Sequence, residues 1–181
     1  MAVKPVSRRS LLFAGLSAAT GTLPSLAGAQ GLTGPAYEVT PWTGPLQWTG
    51  LVDITGKTWR LDDLQGRAVM LNFWASWCEP CRAEMPTLQQ VADLYGSERL
   101  LVLTVNFKES PSRALQFAKT TGVSLPVLLD SSGSVATRWG VKVFPTTLTL
   151  DARGKPRQRI KGELDWTSSA AGKLIDALLK A

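Results

Sequence analysis

The chain has 181 residues, of which 44% are hydrophobic and 19% are charged, a composition typical of one globular domain with an additional segment. It contains no histidine and only two cysteines, Cys78 and Cys81, which excludes serine–histidine and cysteine–histidine catalytic pairs, His-ligated metal sites, closed four-ligand zinc sites and multi-disulfide scaffolds. The formal net charge is +6, but no aromatic residue is interleaved with the basic residues between Arg153 and Lys161, so we predict no nucleic-acid partner.

Residues 1–29 have the three-part pattern of an export signal. A start without acidic residues (1–9) is followed by the weakly apolar stretch Ser10–Leu23 and by the small-residue cleavage site Ala27–Ala29. The segment Ser7–Phe13 contains two adjacent arginines and partly resembles a twin-arginine signal. We therefore predict an exported, periplasmic or otherwise extracytoplasmic protein. An ordinary export signal and an uncleaved membrane anchor are the alternatives.

Residues 30–50 are rich in Gly, Pro and Thr and show no periodicity, which predicts a linker or an irregular arm lying on the domain. Trp42 and Trp48 are the residues expected to attach such an arm to the domain surface. A regular pattern begins after this segment, so residues 51–181 are predicted to form the folded domain.

The predicted domain alternates between strand and helix patterns. Helix starts are marked by caps such as Ser110 followed by Pro111, and helix ends by glycines such as Gly96 and Gly122. In chain order, the predicted elements are a hairpin (Leu51–Ile54 and Thr58–Leu61), a buried strand (Ala68–Phe73), a helix (Glu79–Tyr95), a strand (Leu100–Phe107), a helix (Ser110–Thr121), a short strand (Pro126–Leu129), a short helix (Gly133–Trp139), a second hairpin (Thr146–Leu150 and Lys155–Lys161) and a final helix (Thr167–Lys180). This order predicts an α/β sandwich around a central mixed β-sheet flanked by helices.

The two cysteines lie where a strand is followed by a helix. Cys78 comes after the turn Trp74–Trp77 and starts the helix, where unpaired backbone N–H groups and the helix dipole favour a thiolate. Cys81 falls within the first helical turn, so the two sulfur atoms can form a disulfide and separate again. Because Cys78 is nearer the helix start, we predict that it is the exposed nucleophile and that Cys81 is the resolving thiol. Pro80 is tolerated in that turn because its missing N–H has no partner there. The pattern predicts a redox-active pair, with a static disulfide or half of a shared metal site as alternatives.

The segment Asn72–Pro86, NFWASWCEPCRAEMP, resembles the active-site stretch of the thioredoxin superfamily and, within it, the exported TlpA/ResA-like branch. The resemblance covers residues 45–180. It implies a thioredoxin-like sandwich with an N-terminal hairpin and with a strand–helix insertion at Leu100–Leu129. It also implies that Phe144-Pro145-Thr146 is a cis-proline loop that faces the disulfide and binds the backbone of a partner.

The same resemblance implies a thiol:disulfide oxidoreductase. Cys78 would attack a disulfide of a partner protein and Cys81 would resolve the mixed disulfide, so the partners are protein thiols and disulfides, with apocytochrome c as one candidate. The implied task is reduction of protein disulfides in the periplasm, as in cytochrome c maturation. A membrane electron donor of the DsbD/CcdA type would regenerate the dithiol, and no cofactor or metal is expected.

Six residues are predicted to contact the substrate. Trp77, Glu79 and Pro80 adjoin the cysteines in the sequence, and the resemblance implies that Phe144, Pro145 and Thr146 face the disulfide. Two of these residues have simpler explanations as well. Glu79 is a carboxylate at a helix start, where the dipole stabilises it, and Phe144 is apolar enough to belong to the core.

Glu84 is the candidate for handling the proton of Cys81. Thioredoxins have a buried aspartate at the position of Asn72, and asparagine cannot titrate. Glu84 follows Cys81 by three residues and so lies on the same helix face, and the family resemblance indicates the same residue. The alternative is a helix-surface carboxylate paired with Arg82 or with a lysine elsewhere.

Two other functions remain as alternatives. A thiol peroxidase on this fold would have a Pro-x-x-x-Thr-x-x-Cys setting, which the residues before Cys78 lack. A non-catalytic metal carrier or binding module is the second alternative. Copper delivery on this fold typically uses a histidine with two cysteines, and the chain has no histidine. The presence of Cys78, Cys81 and Pro145 together argues against an inactive binding module.

Overall fold

The computed structural model describes residues 36–44, 50–60 and 62–181. The predicted export signal, residues 1–29, lies outside these ranges. Within them the α-helices are α1 (Glu79–Tyr95), α2 (Pro111–Thr121), α3 (Ser134–Arg138) and α4 (Ser169–Leu179), and a short 3-10 helix spans Asp62–Leu64. Each helix of this described part is too short or too polar to cross a bilayer.

The helices agree with the predicted ones to within two residues at each end, and the shifts have local causes. Ser110 precedes α2 as its N-cap, because its hydroxyl accepts the backbone N–H of Arg113. Ser168 caps α4 in the same way by accepting the N–H of Ala171, so α4 begins at Ser169 and not at Thr167.

The described strands are β1 (Tyr37–Pro41), β2 (Leu51–Val52), β3 (Thr58–Trp59), β4 (Ala68–Trp74), β5 (Leu100–Phe107), β6 (Val127–Asp130), β7 (Thr146–Leu150) and β8 (Pro156–Gly162). Six of them form one sheet in the order β1-β8-β7-β4-β5-β6, and β2 and β3 form the predicted N-terminal hairpin. Strands β4, β5 and β6 run parallel, whereas β7, β8 and β1 pair antiparallel. The predicted α/β fold with a central mixed sheet is confirmed.

The central strand β4 carries the chain to the site. All seven of its residues are buried, and they alternate between the two sides of the sheet. Met70 and Trp74 belong to the core cluster that includes α1, and Leu71 and Phe73 belong to the cluster on the other side. Because both of its faces are covered, β4 ends inside the core, directly before the turn that leads to Cys78.

Tyr37–Pro41 forms an edge strand within the segment 30–50 that the sequence predicts to be a linker or an irregular arm. This strand, β1, pairs antiparallel with β8. Trp42 follows it, is 3% exposed and packs against Trp139 with ring centroids 5.6 Å apart, whereas Trp48 lies outside the described residues. The expectation of irregular structure is corrected for β1. Five residues are too few to show a period, and an edge strand is ordered by a partner far along the chain.

Candidate active site

Cys78 and Cys81 form a disulfide where β4 is followed by α1, with a Cα–Cα distance of 5.3 Å. Cys78 is the N-cap of α1, and its Sγ accepts the backbone N–H of Cys81 at 3.3 Å. The sulfur of Cys78 therefore lies against the unpaired N–H groups of the first turn. Once the disulfide is reduced, these groups and the helix dipole stabilise a thiolate on Cys78.

The two cysteines are less accessible than the sequence predicts. Cys78 is 5% exposed and Cys81 is 1% exposed, so the prediction of an exposed Cys78 is wrong. The reason is that both residues pack in the core cluster that contains Trp74 and Met85. Cys78 is still the more accessible of the two.

The loop before β7 lies at the same end of the sheet as the disulfide. The Phe144-Pro145 peptide bond is cis, as predicted. Thr146 begins β7 and is paired with Phe73 near the carboxyl end of β4. Because β4 and β7 are antiparallel neighbours, the start of β7 lies beside the turn that leads to Cys78. Pro145 and Thr146 are both buried, whereas Phe144 is only partly buried.

An apolar surface adjoins Cys78. The ring of Trp77 is 63% exposed and meets Phe144 edge-on at a centroid distance of 5.9 Å. Phe144 in turn packs on Phe107 at 4.9 Å, and Val143 is 50% exposed. Phe144 thus links the core to the exposed ring of Trp77. Exposed apolar side chains that are contiguous mark a surface that another molecule can cover.

Glu79 and Pro80 occupy the exposed side of the first turn of α1. Glu79 forms an ion pair with Arg82 at 3.7 Å, and the two side chains are 87% and 47% exposed. Such a pair contributes little to stability. The position of Glu79 agrees with that of a helix-start carboxylate and leaves its side chain accessible beside the cysteines.

Glu84 is buried, being 2% exposed, and the interpretation of Glu84 as a surface ion-pair residue is wrong. Its Oε1 accepts the indole N–H of Trp166, and its Oε2 accepts the side-chain N–H of Asn72 at 3.5 Å. Arg82 bonds to Glu79 instead. The sequence could not decide this point because the helix face of Glu84 is covered by residues from distant parts of the chain.

The buried carboxyl group of Glu84 holds its proton more tightly than an exposed one. Burial raises the pKa of Glu84 from an ordinary 4.5 to about 8. The hydrogen bonds from Trp166 and Asn72 oppose this rise, and the negative charge of Glu163 adds to it. A carboxyl group with a pKa near neutrality can both accept and release a proton under ordinary conditions.

A second carboxylate, Glu109, whose side chain is 6% exposed, holds the turn before Cys78. Its oxygens accept the N–H of Ser76 at 2.8 Å, the hydroxyl of Ser76 at 2.6 Å and the side-chain N–H of Asn106 at 2.8 Å. The guanidinium of Arg113 lies 3.1 Å away. Burial alone would raise the pKa of Glu109, but these bonds and the charge of Arg113 outweigh burial and lower it. Glu109 is therefore a fixed anion that fastens this turn.

Glu109 and Trp166 are the residues of the site that the sequence does not indicate. Each one bonds to a residue in a different element, so no local spacing relates it to the cysteines. The only local signal for Glu109 is an acidic residue just before the cap of α2, a position that the helix dipole favours anyway.

The described residues contain no group of three or more Cys, Asp or Glu side chains that could hold a metal ion. The carboxylates near the disulfide, Glu84 and Glu109, are engaged by N–H and O–H donors of the protein. The polar groups of the site are arranged to bind a proton at one carboxylate and to position the backbone with the other.

Comparison with known proteins agrees with this geometry. The profile of the AhpC/TSA family matches residues 39–159. The thiol-disulfide oxidoreductase ResA of Geobacillus thermodenitrificans (strain NG80-2) is 35% identical over 114 residues, which are 63% of this chain and 66% of that protein. The match therefore spans slightly less than two thirds of the length of this curated relative.

Solved structures extend the similarity to the fold. A candidate DsbE thiol:disulfide interchange protein from Chlorobium tepidum superposes with a TM-score of 0.69 and 30% identity over 77% of this chain and 96% of that one. The exposed lipoprotein thioredoxin Etrx1 from Streptococcus pneumoniae strain TIGR4 superposes with a TM-score of 0.60 and 34% identity, over 71% of this chain and 98% of that one. The predicted thioredoxin-like fold is confirmed, and the chain belongs to the AhpC/TSA family of thioredoxin-like proteins.

Proposed function

We propose that this chain is a thiol–disulfide oxidoreductase acting on partner proteins. The observation that carries the proposal is the Cys78–Cys81 disulfide at the start of α1, next to the exposed apolar side chains of Trp77 and Val143. A disulfide that only stabilised the fold would need neither the helix start nor an uncovered apolar surface. The activity in the name of the ResA relative supports the same function.

The exchange proceeds in two displacements. In the reduced protein the thiolate of Cys78 attacks one sulfur of a partner disulfide, which forms a mixed disulfide and releases the other partner sulfur as a thiolate. The thiolate of Cys81 then attacks the Sγ of Cys78, which closes the Cys78–Cys81 disulfide and releases the second partner thiolate. The partner gains two electrons, the cysteine pair loses two, and the released thiolates take up protons.

We further propose that Glu84 accepts the proton of Cys81 before the second displacement. Cys81 is 1% exposed, so bulk water has poor access to its thiol. Glu84 lies one helical turn further along the same face of α1 and is itself buried. At about 8, the pKa of its carboxyl group is close to that of a thiol, which is ordinarily about 8.5.

Glu84→Gln tests this role. Reduced protein is mixed with a chromogenic aromatic disulfide, so the first equivalent of coloured thiol reports the attack by Cys78 and the second reports the attack by Cys81. We expect the substitution to slow the second step at neutral pH by about 100-fold, the lower end of the range for a general base, and to leave the first step unchanged. Glu98→Gln is the matched control, since Glu98 is 92% exposed. Superimposable rate–pH curves for wild type and Glu84→Gln would mean that water, and not Glu84, accepts the proton of Cys81.

We also propose that the protein works outside the cytoplasm as a reductant of protein disulfides. The export-signal pattern of residues 1–29 supports this location, and one neighbour in structure is described as an exposed lipoprotein thioredoxin. Apocytochrome c is a candidate substrate, and a membrane electron donor of the DsbD/CcdA type is the candidate source of electrons, because the family resemblance implies both.

Reduction of insulin disulfides by dithiothreitol tests the activity. We expect the protein to accelerate insulin reduction, and the double variant Cys78→Ser/Cys81→Ser to give the rate of dithiothreitol alone. The peroxidase alternative expects consumption of hydrogen peroxide in the same buffer. Peroxide consumption without insulin reduction would contradict the proposal. Equilibration of the cysteine pair with glutathione then gives the direction, since a reductant has a potential more negative than that of glutathione.

A further inference from the structure

We propose that Trp166 is a positioning residue for the proton chemistry of the site: its indole N–H holds the carboxylate of Glu84 and favours the charged form. The proposal rests on the proposed exchange of a proton between Glu84 and Cys81. Trp166 lies in the loop between β8 and α4, whereas Glu84 lies on α1. The contact therefore makes the acidity of Glu84 on α1 depend on the loop that leads to α4.

The hydrogen bond between the two side chains is well placed for this role. The indole Nε1–H is the single polar group of a tryptophan side chain and can only donate, and here it donates to Oε1 of Glu84. Both residues are 2% exposed, so water does not compete. The other side-chain donor to this carboxylate among the described residues is Asn72, whose nitrogen is 3.5 Å from Oε2, the limit for a hydrogen bond. Trp166 is therefore the stronger donor.

The loop is shaped so that the indole points inward before any reaction takes place. The backbone N–H of Trp166 donates to the hydroxyl of Thr87 at 3.2 Å, and that hydroxyl donates to the carbonyl of Glu84 at 2.8 Å. On the outer side of the loop, Asp165 accepts the N–H and the hydroxyl of Thr167. An Asx turn of this kind fixes the backbone on both sides of Trp166. The loop is thus attached to α1 at two points, both within one turn of Glu84.

The groups that face Glu84 have opposing effects on its proton. Burial and the negative charge of Glu163, which precedes Trp166 in the same loop, favour the protonated form. From the sheet, Asn72 on β4 donates weakly and is held by Thr147 on β7 at 3.0 Å, and the thiol of Cys81 lies on the same face of α1. The indole N–H bonds more strongly to a carboxylate than to a neutral carboxyl group. Since only the charged form accepts a proton, Trp166 sets the lowest pH at which Glu84 acts.

Trp166→Phe removes the donor and keeps an aromatic ring of similar shape. In the two-step assay with the aromatic disulfide, the rate of the second step is plotted against pH. We expect the inflection of this rate–pH curve to move upward by about one to two pH units, the equivalent of one hydrogen bond to a charged group. The second step at neutral pH should slow by up to about tenfold for each unit, and the first step should not change. In the Glu84→Gln background, Trp166→Phe should cause no further shift.

Trp42→Phe is the matched control, because Trp42 is 3% exposed and its indole nitrogen has no hydrogen-bond partner among the described residues. It should keep the wild-type inflection even if it lowers stability. Thr87→Val provides a second test that leaves the indole intact: it removes the hydroxyl that holds the loop, and we expect a smaller shift in the same direction.

The outcomes separate this inference from the function on which it rests. If Glu84→Gln slows the second step but Trp166→Phe and Thr87→Val leave the inflection in place, Trp166 is only a packing residue and the inference is overturned. If Glu84→Gln itself has no effect, the proposed role of Glu84 fails first. A shift with Trp166→Phe that persists in the Glu84→Gln background would also overturn the inference, because it could not act through Glu84.

Discussion

Cys81→Ser is expected to accumulate mixed disulfides with partner proteins, whereas Cys78→Ser is expected to form none. Without Cys81 the first displacement still occurs, but no second thiolate can attack Cys78, so the covalent complex persists. Without Cys78 the helix-start nucleophile is missing, and turnover should fall by at least about a thousandfold, as is common when a catalytic nucleophile is removed. The physical basis is the position of Cys78 as N-cap and its greater accessibility.

Non-reducing gels of each variant, after incubation with a protein that contains a disulfide, measure the trapping. The double variant Cys78→Ser/Cys81→Ser is the control for non-covalent association and should give no new band. Equal trapping by the two single variants would contradict the assignment of Cys78 as the nucleophile and Cys81 as the resolving thiol, because either sulfur could then attack first.

The stability of the oxidised protein is expected to fall as the pH rises from about 5 to about 8, by up to ~4 kcal/mol. Burial raises the pKa of Glu84 in the folded protein from an ordinary 4.5 to about 8. Between these two values the folded state binds a proton that the unfolded state does not bind, so each increase in pH favours unfolding. Asp53 and Glu109 have lowered pKa values, so their contributions change only at more acidic pH.

Urea unfolding of the oxidised protein, at several pH values across this interval, measures the effect. Glu84→Gln should have a nearly flat profile in the same interval, because its amide cannot titrate and can still accept the indole N–H of Trp166. Glu98→Gln, at an exposed position, should retain the wild-type slope. Parallel profiles for wild type and Glu84→Gln would mean that Glu84 keeps an ordinary pKa in the folded protein.

The order of strands and helices and the central pair of the site are predictable from the sequence. Apolar periodicity and capping residues act over a few positions, so the four helices and most strands are located to within about two residues. The Cys78–Cys81 pair belongs to the same class of local signal, since the strand, the turn and the first helical turn are consecutive. The loop at Pro145 depends on the family resemblance, because no local pattern connects it to the cysteines.

Only the tertiary structure decides what surrounds these residues. A glutamate three positions after Cys81 has the same local pattern whether its helix face meets water or the indole of Trp166, so its burial and raised pKa depend on how α4 and its loop pack against α1. The same reason applies to Glu109 beside Ser76 and to the edge strand Tyr37–Pro41 beside β8. Periodicity and capping are short-range effects, whereas burial, strand pairing and proton affinity are set by contacts between segments that are distant in the chain.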